Sequence, residues 1–126
     1  LGIGAISLVV ASVAILNVML MSTIERRGEI GVLRAVGIRR GEVLRMILAE
    51  AAFLGVIGGV VGAAASLGTG LVIFEVLAGD PTLVFEWASL QYLGYGFGFA
   101  VTASVLSGLY PAWKAANDLP VEALRG

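Results

Sequence analysis

The chain has 126 residues, a net charge of −1, 59% apolar residues, 18 glycines and only 13% charged residues. A small soluble domain keeps most residues near its surface and carries about 25% charged residues, so a mean hydropathy of +0.99 excludes an ordinary soluble globule. With no Cys and no His, thiolate nucleophiles, Ser-His-Asp triads and zinc fingers are excluded as well, and the near-neutral charge leaves no electrostatic footprint for nucleic acid.

Residues 1–23 are uncharged, and about 20 such residues at 1.5 Å each cross a hydrocarbon core of about 30 Å. The opening Leu1-Gly2-Ile3 has no basic n-region, so it reads as a transmembrane span in a fragment of a longer protein, not as a signal peptide. Residues 23–45 form a polar connection. Ser22-Thr23-Ile24-Glu25 has the S-x-x-E form of a capping box, although a span that continues into the interface has the same appearance. Ile30, Leu33 and Val36 then recur at i, i+3, i+6, Gly37 offers a stop, and Gly41-Glu42 suits the start of a further helix. The pattern predicts a short amphipathic helix. Its arginines either meet anionic lipid or, with Glu25 and Glu29, form a mixed-charge face suited to a protein partner.

The second span covers about 46–76, interrupted only by Glu50. It exceeds the bilayer core, so it tilts or starts in the interface. Glu50 is either solvated there or paired with an arginine of the connection, Arg45 or Arg34. Small residues recur in two rows, Gly58, Gly62, Ser66 and Gly70 beside Gly55, Gly59 and Ala63. A loop at 77–89 leads to the third span, about 90–110, flanked by Trp87, Tyr92 and Tyr95 on one side and Tyr110 and Trp113 on the other, as interfacial aromatics require. Here the rows are Gly94, Gly98 and Thr102, then Ala100, Ser104 and Gly108. Rows of this kind let helix backbones approach in lipid, or they reflect the glycine content common to membrane helices. In the tail, 111–126, Pro111 is expected to bend the last span at its exit. Pro120 suits the first turn of a small helix, with Asp118 and Glu122 near its positive end. Val121, Leu124 and Arg125 either pack beside the connecting helix or belong to a plain polar tail.

Charge sets the orientation. Residues 23–45 carry six arginines against three glutamates, whereas residues 75–87 carry Glu75, Asp80 and Glu86 with no basic residue. The positive-inside rule makes the first connection cytoplasmic and the second external. The expected fold is therefore an all-α integral membrane protein of three transmembrane helices, with a short cytoplasmic amphipathic helix between the first and second, N-terminus outside and C-terminus inside. The spans hold no paired aspartates or metal ligands for intramembrane proteolysis, and no G-x-x-x-x-G-K-[ST] for nucleotide occurs. No catalytic or metal-binding residues are expected.

Three ordered motifs carry a family resemblance. They are Asn17-Val18-Met19-Leu20-Met21-Ser22-Thr23-Ile24-Glu25-Arg26-Arg27-Gly28-Glu29-Ile30-Gly31-Val32-Leu33-Arg34-Ala35-Val36-Gly37, then Glu50 before the run from Gly55 to Gly62, then Pro111-Ala112-Trp113-Lys114-Ala115-Ala116-Asn117-Asp118-Leu119-Pro120-Val121-Glu122-Ala123-Leu124-Arg125. Together they resemble the FtsX-like permease family, which includes MacB efflux permeases and lipoprotein-releasing permeases. The resemblance covers the whole chain. It implies a multi-pass permease of the inner or plasma membrane that pairs with a second permease subunit, identical or not, and binds a cytoplasmic ATPase holding ATP and Mg. In that family a coupling helix docks the ATPase. Carried over, it would run from Glu25 to Val36, with Ile30 and Leu33 as apolar contacts and Glu25, Arg26, Arg27, Glu29 and Arg34 as the polar rim. The resemblance further implies export or extraction by mechanotransmission, with a first helix and external domain upstream of residue 1. A signalling role of the cell-division type, regulating wall hydrolases without transport, is the alternative within the family; a self-contained three-helix scaffold or channel is the alternative outside it.

Overall fold

Proline is absent before Pro81, so only glycines and the charged connection interrupt helix over the first two thirds of the chain. The computed structural model describes residues 2–117 and is all-helical over them: α1 (Gly2–Glu25), α2 (Arg27–Ala35), α3 (Arg40–Ala78), a 3-10 turn (Pro81–Phe85) and α4 (Trp87–Asn117). Helices α1, α3 and α4 are each long and apolar enough to cross a membrane. At 24, 39 and 31 residues, they extend about 36, 58 and 46 Å, against about 30 Å of hydrocarbon.

The interruptions have local causes. Helix α1 simply runs on past Ser22: the Ser22 carbonyl accepts from the Arg26 N–H at 3.1 Å, and the Thr23 hydroxyl donates to the Met19 carbonyl at 2.7 Å. No capping box forms there, and Arg26 alone separates α1 from α2. Helix α2 ends on Gly37 at φ 109°, with the Gly37 N–H donating to Arg34 and the Ile38 N–H to Leu33. This paired pattern satisfies two of the last carbonyls and needs a residue tolerant of positive φ. At the start of α3 the Glu42 carboxylate accepts the Arg39 N–H at 3.3 Å. Gly79, at φ 70°, closes α3 with its N–H on the Glu75 carbonyl at 3.0 Å.

Helices α3 and α4 form the main packed hairpin, and α4 also packs against α1. The second and third spans are longer than their apolar cores, since α3 begins at Arg40 and α4 continues six residues beyond Pro111 to Asn117. Pro111 does not end the helix; it is buried within it. Loss of one backbone donor is tolerated where neighbouring helices hold the segment in place. The buried cluster of Met19, Ile30, Val43, Ile47, Ala51, Ala112, Ala115 and Ala116 gathers all four helices at the α2 end.

Candidate functional site

The α2 end carries most of the charged residues among those described and the main buried cluster, and its geometry follows from the spacing of every fourth residue on α2. Arg26, Ile30 and Arg34 recur at i, i+4, i+8 and therefore share one stripe of the helix. That stripe faces the bundle. Ile30 is 5% exposed and sits in the core. Arg26 places Nη1 at 3.2 Å from Oε2 of Glu50 on α3 and Nε at 3.5 Å from Glu29. The Arg34 guanidinium donates to the backbone carbonyl of Ala116 on α4. A charged donor on a backbone carbonyl makes a stronger link than a neutral one, and it joins α2 to α4.

Gly28, Val32 and Val36 recur with the same spacing on the opposite side, and all three are exposed. Val32 is 50% and Val36 79% exposed, and Glu25 and Glu29 flank them in solvent. Arg27 and Leu33 are half-buried at the boundary of the two faces. The expected contact residues thus divide. Ile30 lies inside the chain's own core, because α2 needs an apolar side chain against Met19 and Val43 more than an outward one. Arg26 and Arg34 are turned toward α3 and α4. Outward apolar surface comes from Val32 and Val36, and Val32 escaped the i, i+3, i+6 pattern because that pattern marks a face without saying which side of the helix is already covered. Glu50 is paired, with Arg26 as its partner in place of Arg45 or Arg34.

The small residues also divide. A Cβ added at Gly55 would lie 2.8 Å from Ser104 Cβ and 2.9 Å from Val101 Cα; one at Gly108 would lie 2.6 Å from Ala51 Cβ. Here the backbones of α3 and α4 are nearly in contact, and the Ser104 hydroxyl donates to the Ala51 carbonyl at 2.5 Å. At Gly59 the neighbour is the Phe97 ring. Gly58, Gly62, Gly94 and Gly98 have open space where a Cβ would stand. Gly58, Gly62 and Ser66 instead line a groove of about 470 Å³ between the far halves of α3 and α4, with Phe74 farther along α3 and Tyr92 and Phe97 of α4 across it. Beyond the groove the hairpin turn is pinned by Asp80, whose carboxylate accepts from the Thr82 hydroxyl at 2.6 Å and N–H at 2.9 Å. These two donors, the hydroxyl first, hold the Asp80 carboxyl below its ordinary value of 3.8.

Of the tail residues, Pro111 is buried at the core, while Pro120, Glu122, Leu124 and Arg125 lie outside the described residues. Among the described residues no three acidic side chains gather as they would to hold a metal ion.

Residues 1–120 match the family described as FtsX-like permease C-terminal. The chain is similar to the macrolide export ATP-binding/permease protein MacB of Bdellovibrio bacteriovorus, at 40% identity over 98% of this chain and 18% of the relative. It is likewise similar to the uncharacterized ABC transporter permease YknZ of Bacillus subtilis, at 39% identity over 98% of this chain and 30% of the relative. The pyoverdine export ATP-binding/permease protein PvdT of Pseudomonas aeruginosa shares 42% identity over 97% of this chain and 18% of its own length. The chain thus spans less than a third of each relative.

Proposed function

Because this chain belongs to the FtsX-like permease family, we propose that it is the membrane-embedded part of an ABC transporter permease that answers ATP hydrolysis in a cytoplasmic ATPase with movement at the external face. The observation that carries this reading is the two-sided α2. One face is fastened to three membrane-spanning helices, and the other offers Gly28, Val32 and Val36 between exposed glutamates. An apolar strip with a charged rim suits a protein docking site. In this reading α2 is the coupling helix, the α2 end is cytoplasmic, and the α3–α4 turn with Glu75, Asp80 and Glu86 is external. ATP and Mg belong to the ATPase. The permease works in the inner or plasma membrane with a second permease subunit. Among the groove residues of α3 and α4 none is Asp, Glu, Lys, Arg or His, which favours mechanotransmission over a charged path through this chain; the exported or extracted substrate is then bound outside these helices.

The test uses the full-length permease with its ATPase in nanodiscs. Val32→Asp combined with Val36→Asp is expected to reduce complex formation at least tenfold while the permease remains monodisperse. Unchanged binding would remove α2 as the docking element.

A further inference from the structure

Helix α2 is tied to its neighbours by links of unequal stiffness. Toward α1 the backbone is nearly continuous helix through Arg26, whose carbonyl accepts the Ile30 N–H at 3.0 Å. Toward α3 it passes through four residues outside any helix, Val36, Gly37, Ile38 and Arg39, with Gly37 at φ 109°. Toward α4 there is no short backbone path, since Arg34 and Ala116 are 82 positions apart in sequence. A displacement of α2 therefore reaches α1 along the main chain but reaches α3 and α4 through side chains.

We propose that Arg26 and Arg34 are positioning residues that fasten α2 to α3 and α4, and that the Arg26–Glu50 ion pair carries movement of α2 into α3. The inference rests on α2 being the ATPase-docking helix. Three observations support it. Glu50 stands about 15 Å along α3 from Arg40, between Ile47, Ala51 and Phe53, where an uncompensated carboxylate is costly. The pair is 40% exposed on each side chain, so it is shielded enough to hold and open enough to break. Arg26 reaches Glu29 on α2 and Glu50 on α3 through different nitrogens, so a single guanidinium bridges the two helices. Arg34 does the same for α4 by a different device, a charged donor on a backbone carbonyl, which a lysine would reach without the planar fork.

The experiment compares wild type, Arg26→Glu, Glu50→Arg and the double exchange in full-length permease with its ATPase in nanodiscs. Nitroxides at the exposed Ile3 and Leu77 report the ATP-driven change in distance at the end remote from α2. Each single variant is expected to keep the ATPase bound while the ATP-driven population shift falls about three- to fivefold, as loss of a partly exposed ion pair allows. The double exchange is expected to return to within about twofold of wild type. Single variants that shift like wild type would overturn the inference. So would a double exchange that stays as defective as the singles, or single variants that lose the ATPase altogether, since the pair would then serve folding and not transmission. A wild-type permease that binds no ATPase would instead remove the docking reading on which the inference stands.

Discussion

At the α2 end, Met19, Ile30, Val43, Ile47 and the alanines of α4 are buried against one another; at the hairpin end Val84 is the sole buried side chain among the described residues. The buried residues of both regions are apolar or small, so the hydropathy of the helix interiors does not separate them. In lipid, contact between apolar helices gains little over contact with acyl chains, and what distinguishes the ends is close backbone approach and hydrogen bonding. The α2 end has both, through Gly55, Gly108 and the Ser104 hydroxyl. The hairpin end has the groove instead.

The sharpest attack on this contrast is a charge in the packed end. Ile30→Asp is expected to destabilise the bundle by more than about 3 kcal/mol, read as the loss of a cooperative unfolding transition in mild detergent. Val32→Asp, two residues away on the exposed face, is expected to stay within about 0.5 kcal/mol of wild type. Equal effects would mean that α2 has no inner face.

Next in size is overpacking at the helix crossing. Gly55→Leu must displace Ser104 and the Val101 backbone, with an expected cost of about 1–3 kcal/mol, whereas Gly62→Leu enters the groove and is expected to cost less than about 0.5 kcal/mol. Thermal unfolding of the two variants side by side measures the difference. Ser104→Ala removes one interhelical hydrogen bond and is expected to cost about 0.5–1 kcal/mol, less than Gly55→Leu and distinguishable from it by intact α3–α4 disulfide trapping.

The smallest effect lies in the hairpin turn. Because the folded Asp80 carboxyl titrates below 3.8, its contribution is complete above that ordinary value and is lost as pH falls through the lowered one. An NMR titration of Asp80 in nanodiscs is expected to show the low value in wild type and a return toward 3.8 in Thr82→Val. An unchanged titration would mean that Thr82 does not hold the turn.

Much of the architecture was legible in the residues. Three spans follow from length and hydropathy, and Gly37 marks the end of α2 because its backbone must turn to positive φ. Span limits were less legible: hydropathy sees only the apolar middle, while α3 starts among arginines at Arg40 and α4 carries its helix through Pro111 to Asn117. Of the two glycine rows in α3, the one that packs is chosen by Val101 and Ser104 on α4, residues distant in sequence. The same holds for Glu50, whose partner Arg26 is 24 positions away. Periodicity names a face; tertiary neighbours decide what it meets.

The near contact of backbones at Gly55 divides α3 into arms of unequal length. About 15 residues separate it from Arg40 and about 23 from Ala78, which makes the arms about 22 and 35 Å. If α3 turns as a rod about this fulcrum, a shift of about 2 Å at the α2 end becomes about 3 Å at the hairpin end, in the opposite direction, before the helix bends at all.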